Sequence, residues 1–439
     1  MTLGPSPPAL ATLYRMAVAV GSAEQLCREA RKASRVLART PTGVKDAALA
    51  AIAAALEERL GEILEANELD MQAGREAEIG DALLDRLKLD EGRVGAIAAA
   101  VRQIASLGDP VGEVIDGHRL PNGLDVRKVR VPLGVVAVVY EARPNVTIDA
   151  AALCLKSGNA IVLRGSSTAT HSNDALARIA AEAAVGAGLP HGCVNLLAGG
   201  GREELAELAT QRETVDLIIP RGGESLKEAL QAVATVPVIY AASGNCHVYV
   251  DAGAELEPAL AIVLNAKLQR PGVCNAAETL LVHEALAGRF VPMAAAALSD
   301  AGVTLRADPR ALELAVPAAG ALAEPAAEED WHTEYLGPTL AVRVVASVGE
   351  AIEHIERYGS GHSEAIVTRD AAAARAFQLG VDAACVYVNA STRFTDGGEF
   401  GMGAEIGNST QKLHARGPIG VRELCTFKYL VEGDGHVRV

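Results

Sequence analysis

Aromatic side chains and clusters of positive charge are both scarce in this chain. Only 3% of the 439 residues are aromatic although half are hydrophobic, so the core must be built from Ala, Val, Leu and Ile. The net charge is −15, and no cluster of lysines or arginines interrupts the acidic balance. Nucleic acids and anionic membranes both require a basic protein surface, so this pattern argues against them as partners.

Long apolar runs and paired cysteines are lacking as well. No segment reaches the roughly 20 consecutive apolar residues of a transmembrane helix. The seven cysteines are widely spaced, without a Cys-x-x-Cys pair or a Cys/His cluster at the spacing of zinc ligands. These absences predict a cytoplasmic protein with reduced thiols and without a metal site.

The hydrophobic periodicity predicts an α/β fold in two domains. Residues 1–20 have the composition of a disordered tail, and a helical pattern follows them. Apolar strands then alternate with helices, which indicates parallel sheets covered on both faces. We expect a dinucleotide-binding domain from residues 21–110 and 132–254, with His247–Val250 as its last strand. Residues 255–419 would then form a second, catalytic domain.

Residues 111–131 and 420–439 have a different pattern. Alternating apolar and polar residues around Asn122-Gly123 predict a β-hairpin. A second strand candidate, Glu423–Val431, has apolar residues on both faces. Open strand edges invite uncontrolled pairing, so we expect these segments to join into one sheet that packs against another subunit. This interpretation predicts a homo-oligomer, at least a dimer.

Cys274 is the leading candidate for a nucleophile. It follows a Pro-Gly turn in Arg270-Pro-Gly-Val-Cys274-Asn275, and the apolar segment after it has helix-compatible spacing. We therefore expect the thiol at or just before a helix N-terminus, with Lys267 and Arg270 close by. Exposed backbone N–H groups and nearby cations both favour the nucleophilic thiolate. A small buried core residue is the alternative for this cysteine, as for the other six.

Several segments of the chain resemble the aldehyde dehydrogenase superfamily, and most closely its members that reduce an acyl phosphate. Besides the segment around Cys274, similar signatures are found at Val131–Asn145, Leu155–Gly165, Val386–Gly397 and Ser409–Pro418. The resemblance implies an aldehyde dehydrogenase-like fold with two Rossmann-type parallel-sheet domains and a protruding β arm for oligomerisation. It also implies NADPH-dependent reduction of L-glutamate 5-phosphate to L-glutamate 5-semialdehyde and phosphate, through a Cys274 thioester, in proline biosynthesis. The preceding enzyme, glutamate 5-kinase, is then a candidate partner.

Arg164 is the most informative candidate for cofactor binding. It ends a predicted strand and is followed by Gly165, Ser166 and Ser167. NAD sites commonly place an acid there for the ribose 2′-OH, whereas a 2′-phosphate needs a cation and hydroxyls. An arginine with two serines and no acid at this position suits NADPH. A solvated arginine at a strand end is the alternative.

Two further segments are candidates for the rest of the cofactor site. Arg221, Gly222 and Gly223 come between a strand and a helix, where backbone N–H groups can face a pyrophosphate. The glycines of Ala198–Arg202 lack the spacing of the dinucleotide fingerprint and are a weaker signal. Glu334 begins a Glu-x-x-Gly-Pro motif, and the resemblance implies that its carboxylate holds the hydroxyls of the nicotinamide ribose.

Two features of the sequence bear on the reaction mechanism: the position of Asn145 and the lack of a glutamate that could activate water. The Asn145 amide could donate to an oxyanion together with the backbone N–H of Cys274, or it could simply cap the following helix. In hydrolytic aldehyde dehydrogenases a glutamate activates water to cleave the thioester. The corresponding stretch here, residues 240–247, contains no acid. Its absence favours a thioester that is resolved by hydride.

An acyl phosphate with an amino-acid end needs cationic contacts for its phosphate and its carboxylate. Arginine binds both groups through two parallel hydrogen bonds, so arginines are the expected residue type. The available side chains are Arg143, Arg393, His414 and Arg416, each of which could instead form a structural ion pair.

Two other functions remain open from the sequence. One is an acylating aldehyde dehydrogenase that uses coenzyme A instead of phosphate. The other is a non-catalytic protein that binds a dinucleotide or acts as a partner of the preceding kinase. The presence of Cys274, Glu334 and the arginines together favours an active enzyme over the non-catalytic alternative.

Overall fold

The computed structural model describes residues 22–197, 201–240 and 243–438. The predicted tail, residues 1–20, and the glycines at 199–200 lie outside the described residues. The helices, in chain order, are Ala23–Leu37, Thr42–Glu58, Leu60–Glu76, Asp81–Leu87, Glu91–Ser106, Asn145–Lys156, Thr170–Gly186, Arg202–Ala209, Glu224–Val233, Leu256–Leu268, Glu284–Asp300, Pro309–Ala319, Val348–Tyr358 and Ala371–Gly380. The strands are β1 (Val114–Arg119), β2 (Asp125–Pro132), β3 (Val135–Tyr140), β4 (Ala160–Arg164), β5 (Val194–Leu197), β6 (Leu217–Arg221), β7 (Cys246–Val250), β8 (Ala277–His283), β9 (Thr304–Ala307), β10 (Ala323–Pro325), β11 (Thr339–Val345), β12 (Ser363–Val367), β13 (Cys385–Val388), β14 (Asn408–Ser409), β15 (Gly417–Pro418) and β16 (Cys425–Glu432).

Strands β3 to β6 form a parallel sheet in the order β5-β4-β3-β6. All six residues of β3 are buried, as the continuous apolar run predicts for a strand covered on both faces. The chain starts at β3, adds β4 and β5 on one side, and then returns to add β6 on the other. Loops after parallel strands meet at one edge of the sheet, which is where such folds bind dinucleotides. Asn145, Arg164 and Arg221 therefore all lie at this edge.

A larger parallel sheet contains seven strands in the order β10-β9-β11-β8-β7-β12-β13. Its centre is apolar: Val248 of β7, Leu280 of β8 and Val342 of β11 pack in one buried cluster with the helix Glu284–Asp300. Strand β8 lies between β7 and β11. The turn that carries Cys274 leads directly into β8, so a rigid central strand holds one end of that turn.

The division of the chain differs from the prediction at one strand. Strand β7, which was assigned to the first domain, pairs with β8 and β12 in the middle of the seven-stranded sheet. Contacts divide the chain into one unit of residues 1–240, 402–407 and 419–439 and another of residues 241–401 and 408–418. The expected boundary at 254/255 was therefore too late. A short apolar strand does not specify which sheet it joins, because its partners are distant in the sequence.

The hairpin and the C-terminal strand form a separate antiparallel sheet, as predicted. Strands β1 and β2 pair around the turn, where Gly123 has φ +95°. Strand β16 pairs with β2 along its whole length, from Cys425 opposite Pro132 to Glu432 opposite Asp125. We call this three-stranded sheet the arm. Its packing against another subunit stays a prediction.

Neither a membrane span nor a metal cluster is found in the described part of the chain. No helix there is both long enough and apolar enough to cross a bilayer. No group of three His, Cys, Asp or Glu side chains among those residues is arranged to hold a metal ion.

Candidate active site

Cys274 lies in a turn between the helix Leu256–Leu268 and strand β8. It is half-buried, whereas the other six cysteines are fully buried. The predicted helix N-terminus at this position was wrong, because the segment after Cys274 forms a strand. Its apolar run is short, and pairing with strands on both sides decides its conformation. Accessibility still distinguishes Cys274 from every other thiol of the chain.

The turn is held by close contacts with its backbone. A β-carbon added at Gly244 would lie 1.4 Å from the carbonyl oxygen of Cys274, so only glycine fits there. The thiol of Cys246 donates to the same carbonyl at 3.2 Å. Burial raises the pKa of Cys246 well above that of a free thiol, which keeps it a neutral donor. These two contacts fix the backbone from which the Cys274 thiol projects.

Lys267 does not act as the cation beside the thiol that the sequence predicted. Its Nζ lies 2.5 Å from Oε2 of Glu278, and both side chains are fully buried. Burial lowers the pKa of Lys267 and raises that of Glu278 to about 7, although each charge opposes the shift of the other. The other carboxylate oxygen of Glu278 accepts from the backbone N–H of Leu336 at 3.2 Å. This buried pair ties strand β8 to the loop of the Glu-x-x-Gly-Pro motif.

Glu334, in that same loop, is linked to the Cys274 turn. Its Oε1 accepts from the backbone N–H of Gly244 at 2.7 Å. Next to Gly244, the buried amide of Asn245 donates to the carbonyls of Trp331 at 2.7 Å and Tyr358 at 2.8 Å. The Cys274 turn and the predicted ribose-binding loop are thus held in one hydrogen-bonded assembly.

Arg393 is attached to both sides of Cys274. The amide of Asn275 donates to the carbonyl oxygens of Arg393 at 3.3 Å and Thr395 at 2.9 Å. In return, the hydroxyl of Thr392 donates to the carbonyl of Asn275 at 2.7 Å. On the other side of the turn, Nε of Arg393 donates to Oε1 of Gln269 at 2.8 Å. The predicted substrate-binding arginine is therefore positioned next to Cys274.

The other substrate-binding candidates are placed differently. Arg416 forms an ion pair with the Asp382 carboxylate at 2.8 Å and also donates to its carbonyl at 3.0 Å. These contacts favour the structural ion pair that the sequence left open. His414 is exposed in the segment between β14 and β15, and Arg143 is exposed after β3.

In the first unit, Arg164 ends β4 and its guanidinium donates to the carbonyl of Gly201 at 3.3 Å. Ser166 and Ser167 follow it, and Ser166 lines a surface pocket together with Gly165. The expectation of no acid here was incomplete, because Oε1 of Glu204 lies 3.8 Å from Nε of Arg164. Glu204 belongs to the helix Arg202–Ala209, beyond an intervening helix and strand, so no local motif could reveal it.

The glycine turn after β6 meets an acid that directly follows β3. The backbone N–H of Gly223 donates to Oε1 of Glu141 at 3.2 Å. A β-carbon at Gly222 would lie 2.7 Å from the same oxygen, so the carboxylate is packed against the turn. Arg221 lies at the end of β6 and packs against Gly407. The structure thus brings an acid to the turn predicted to face the pyrophosphate.

Asn145 begins the helix Asn145–Lys156 and does not cap it, because the N-cap position is Pro144. Its amide donates to Oδ2 of Asp149 at 2.9 Å. Burial raises the pKa of Asp149 to about 6, while Asn145 and Arg221 oppose that shift. The capping alternative is therefore wrong, and the amide is oriented by an acid one turn further along the helix.

Sequence reasoning missed Gly244, Asn275 and the ion pair of Glu278. Glu278 did carry a signal, since an acid inside an apolar strand requires a buried partner. Asn275 also carried a signal, because it directly follows Cys274 and a buried amide requires hydrogen-bond acceptors. Gly244 offered no such signal, because the approach of the Cys274 carbonyl depends on tertiary structure.

Comparisons with known proteins agree with this architecture. The profile of the aldehyde dehydrogenase family matches residues 10–312 and 323–428. Gamma-glutamyl phosphate reductase of Moorella thermoacetica is 56% identical over 411 residues, which covers 94% of this chain and 97% of the relative. The reductase of the same name from Kineococcus radiotolerans is 53% identical over 439 residues, the full length of both chains.

Solved structures give the same result. The crystal structure of gamma-glutamyl phosphate reductase from Thermotoga maritima superposes with a TM-score of 0.92 at 45% identity, covering 95% of this chain and all of that one. An acetylating aldehyde dehydrogenase from Geobacillus thermoglucosidasius shares the fold, with a TM-score of 0.66 at 20% identity over 95% and 97% of the two chains. The chain belongs to the aldehyde dehydrogenase family and, within it, to the gamma-glutamyl phosphate reductases.

Proposed function

We propose that the chain reduces L-glutamate 5-phosphate to L-glutamate 5-semialdehyde with NADPH, through a thioester on Cys274, in the cytoplasmic synthesis of proline. The exposure of Cys274 and its link to Arg393 support this proposal independently of the names of the relatives. Cys274 is the one cysteine of the seven that is not buried, and the adjoining Asn275 is hydrogen-bonded to the turn of Arg393. An accessible thiol beside an arginine suits a reaction whose substrate carries a phosphate at the attacked carbon.

The proposed chemistry proceeds in two steps. The Cys274 thiolate attacks the carbonyl carbon of the acyl phosphate, the carbon–oxygen bond to phosphate breaks, and phosphate leaves with the electron pair. Bound NADPH would supply the hydride that reduces the resulting thioester. The carbon–sulfur bond then breaks, Cys274 recovers its thiolate, and the semialdehyde is released.

The residues at the end of β4 fit the phosphate of NADPH. Arg164 offers a cation and Ser166 and Ser167 offer hydroxyls, the donor types that a 2′-phosphate requires. Glu204, 3.8 Å from Arg164, could accept a ribose hydroxyl instead, so the preference for NADPH depends on the arginine. We propose that Glu334 holds the nicotinamide ribose. Its hydrogen bond with Gly244 supports this role, because it ties the ribose-binding loop to the nucleophile turn.

Two other parts of the site have proposed roles. We propose that Arg221, Gly222 and Gly223 hold the pyrophosphate, which would require the Glu141 carboxylate to release the N–H of Gly223. We also propose that the Asn145 amide and the backbone N–H of Cys274 stabilise the oxyanion. Among substrate contacts, Arg143 and His414 remain candidates for the amino-acid end, whereas Arg416 would have to leave its ion pair with Asp382.

The lack of an acid in residues 240–247 supports reduction rather than hydrolysis. A water-activating carboxylate would divert the thioester to glutamate. The Glu278 carboxylate is in the same unit as Cys274, but it forms an ion pair with Lys267 at 2.5 Å, which makes it unsuited to activating water. We therefore propose that hydride attacks the thioester and that phosphate is the leaving group of the preceding step.

The direct test is a Cys274→Ser variant assayed for phosphate-dependent oxidation of the semialdehyde with NADP. We expect loss of nearly all turnover, because a serine hydroxyl ionises far less readily than a cysteine thiol and is a much poorer nucleophile. A Cys385→Ser variant is the matched control, since Cys385 is buried. Turnover of Cys274→Ser near that of the wild type would contradict the mechanism. Turnover that depends on coenzyme A instead of phosphate would favour the acylating alternative.

The non-catalytic alternative is separated by labelling. Iodoacetamide should modify Cys274 faster than the six buried thiols, and NADPH or substrate should slow that reaction. Slow and uniform labelling would favour a protein that binds a dinucleotide without catalysis. An association with glutamate 5-kinase is a further proposal, tested by co-sedimentation of the two purified proteins.

A further inference from the structure

We propose that Arg270 and Arg393 together bind the phosphate of the substrate, with Arg270 as a binding residue in addition to the four candidates the sequence named. The inference rests on the proposed function and adds to it which end of the substrate each arginine meets.

The placement of Arg393 is fixed by contacts on both sides of the nucleophile. Asn275, which follows Cys274, binds the Thr392–Phe394 turn through its amide and its carbonyl, at 2.7 Å to the Thr392 hydroxyl. Gln269, which precedes Arg270, accepts from Nε of Arg393 at 2.8 Å. Arg393 is therefore held by the neighbours of both Cys274 and Arg270.

The charges in this region are not balanced. Burial lowers the pKa of Arg393, and the nearby Arg270 guanidinium lowers it further, while Cys274, Asp396 and Cys246 oppose the shift. In the described part of the chain, neither Arg270 nor Arg393 forms an ion pair with a carboxylate within 4.0 Å, unlike Arg416 with Asp382. Arg393 interacts with the Cys274 thiol and is repelled by Arg270, so a doubly charged anion that binds both guanidinium groups would stabilise this pair.

The length of the substrate determines whether the two arginines meet its phosphate or its α-carboxylate. The phosphorus atom is two bonds from the carbonyl carbon that the thiolate attacks. The α-carboxylate carbon is four bonds away, or about 5 Å in an extended chain. Arg393, which interacts with the Cys274 thiol, and the neighbouring Arg270 would therefore meet the phosphate, and the amino-acid end has to be recognised by other residues.

The test uses the oxidation of the semialdehyde, in which inorganic phosphate is a separate substrate. Arg270→Ala and Arg393→Ala should each raise the KM for phosphate by about ten- to a hundredfold, the effect of one charge-assisted contact. The KM for the semialdehyde should change little. Arg270→Lys and Arg393→Lys should give intermediate values, because lysine keeps the charge and loses the two-point contact. Arg369→Ala, an exposed arginine paired with Glu255, is the matched control.

A second measurement does not need turnover. Inorganic phosphate should slow the alkylation of Cys274 by iodoacetamide in the wild type, and it should not do so in either alanine variant. A rise in the semialdehyde KM with an unchanged phosphate KM would assign the arginines to the carboxylate and overturn the inference. A wild type without phosphate-dependent oxidation would contradict the proposed function instead, and phosphate protection of Cys274 would still decide the present inference.

Discussion

The carbonyl oxygen of Cys274 occupies the place that a side chain at residue 244 would need. An ideal β-carbon on Gly244 would lie 1.4 Å from that oxygen and 2.7 Å from the α-carbon of Cys274. A Gly244→Ala variant must therefore displace the nucleophile turn. We expect its kcat to fall by at least about a hundredfold, as small displacements of reacting groups do. Steady-state kinetics and the rate of Cys274 alkylation together report the change.

Gly272→Ala provides the matched control for this prediction. It lies in the same turn, and its nearest neighbour, the Leu336 carbonyl oxygen, would be 3.6 Å from the new β-carbon, an ordinary contact. This variant should retain most of the wild-type turnover. Similar activities for the two alanine variants would show that the approach of Gly244 to Cys274 does not constrain the nucleophile.

Cofactor preference should depend on the balance of two opposite charges. Arg164→Ala should weaken NADPH binding about ten- to a hundredfold and NADH binding much less, because only NADPH carries the 2′-phosphate. Glu204→Gln should act in the opposite direction and favour NADPH, since it removes an anion 3.8 Å from Arg164. Fluorescence titration with each cofactor measures both, with the exposed Arg212→Ala as control. Equal losses for the two cofactors in Arg164→Ala would assign this arginine to the fold alone.

The pH dependence of stability should reveal the buried pair of Glu278 and Lys267. Burial raises the pKa of Glu278 from 4.5 to about 7, so the folded protein retains a proton that the unfolded chain has lost. The stabilisation that comes from this raised pKa is fully present below pH 4.5 and is lost as the pH rises towards 7. Relative to Glu278→Gln, which cannot titrate, the wild type should lose about 2 kcal/mol between pH 5 and 7. Calorimetric midpoints at several pH values measure this difference.

The control for this experiment is Glu257→Gln, an exposed substitution on the helix Leu256–Leu268. Its stability should follow the wild type at every pH. Glu278→Gln is expected to carry a constant offset, since it leaves Lys267 without its carboxylate. A difference between wild type and Glu278→Gln that stays constant or grows with pH would contradict the raised pKa.

The arm is predicted to join copies of the chain. Phe427, Tyr429 and Val431 alternate along β16 and are 45%, 59% and 55% exposed, so one face of the arm presents an apolar stripe. We expect a homodimer or larger assembly of the 45.3 kDa chain, and a smaller species for Tyr429→Ser/Val431→Ser. Sedimentation velocity distinguishes these. Leu379→Ser, at a residue 74% exposed, is the control. A fully active wild-type monomer at micromolar concentration would remove the prediction.

Local patterns predicted the elements of the fold better than their arrangement. Ala160–Arg164 and Val194–Leu197 are strands and Leu256–Leu268 is a helix, each an apolar segment with clear boundaries. Strand β7 was assigned to the wrong domain, because the choice between two sheets depends on partners far away in the sequence. The helix N-terminus expected at Cys274 was also wrong, although a strand was predicted at Leu280–His283, because a short apolar run fits a helix or a strand equally well.

The candidate site shows the same limit. Local sequence context singled out Cys274 and Arg164, and the family resemblance singled out Glu334; the roles of all three stay predictions. The pairing of Lys267 with Glu278 and the approach of Glu204 to Arg164 arise only when separate elements pack together. Such contacts change what a charge can do without leaving a motif in the sequence.

The pairing of β16 with β2 has a consequence for synthesis on the ribosome. Every residue of the second unit's large sheet emerges before Cys425, so that unit can complete its core first. The arm of the first unit cannot form by then, because β2 pairs with a strand that is synthesised almost last. Until then the edge of β2 is open, and long-range pairing of this kind is slow to form. Nascent chains should therefore depend most on chaperones late in translation, when most of the protein is already folded.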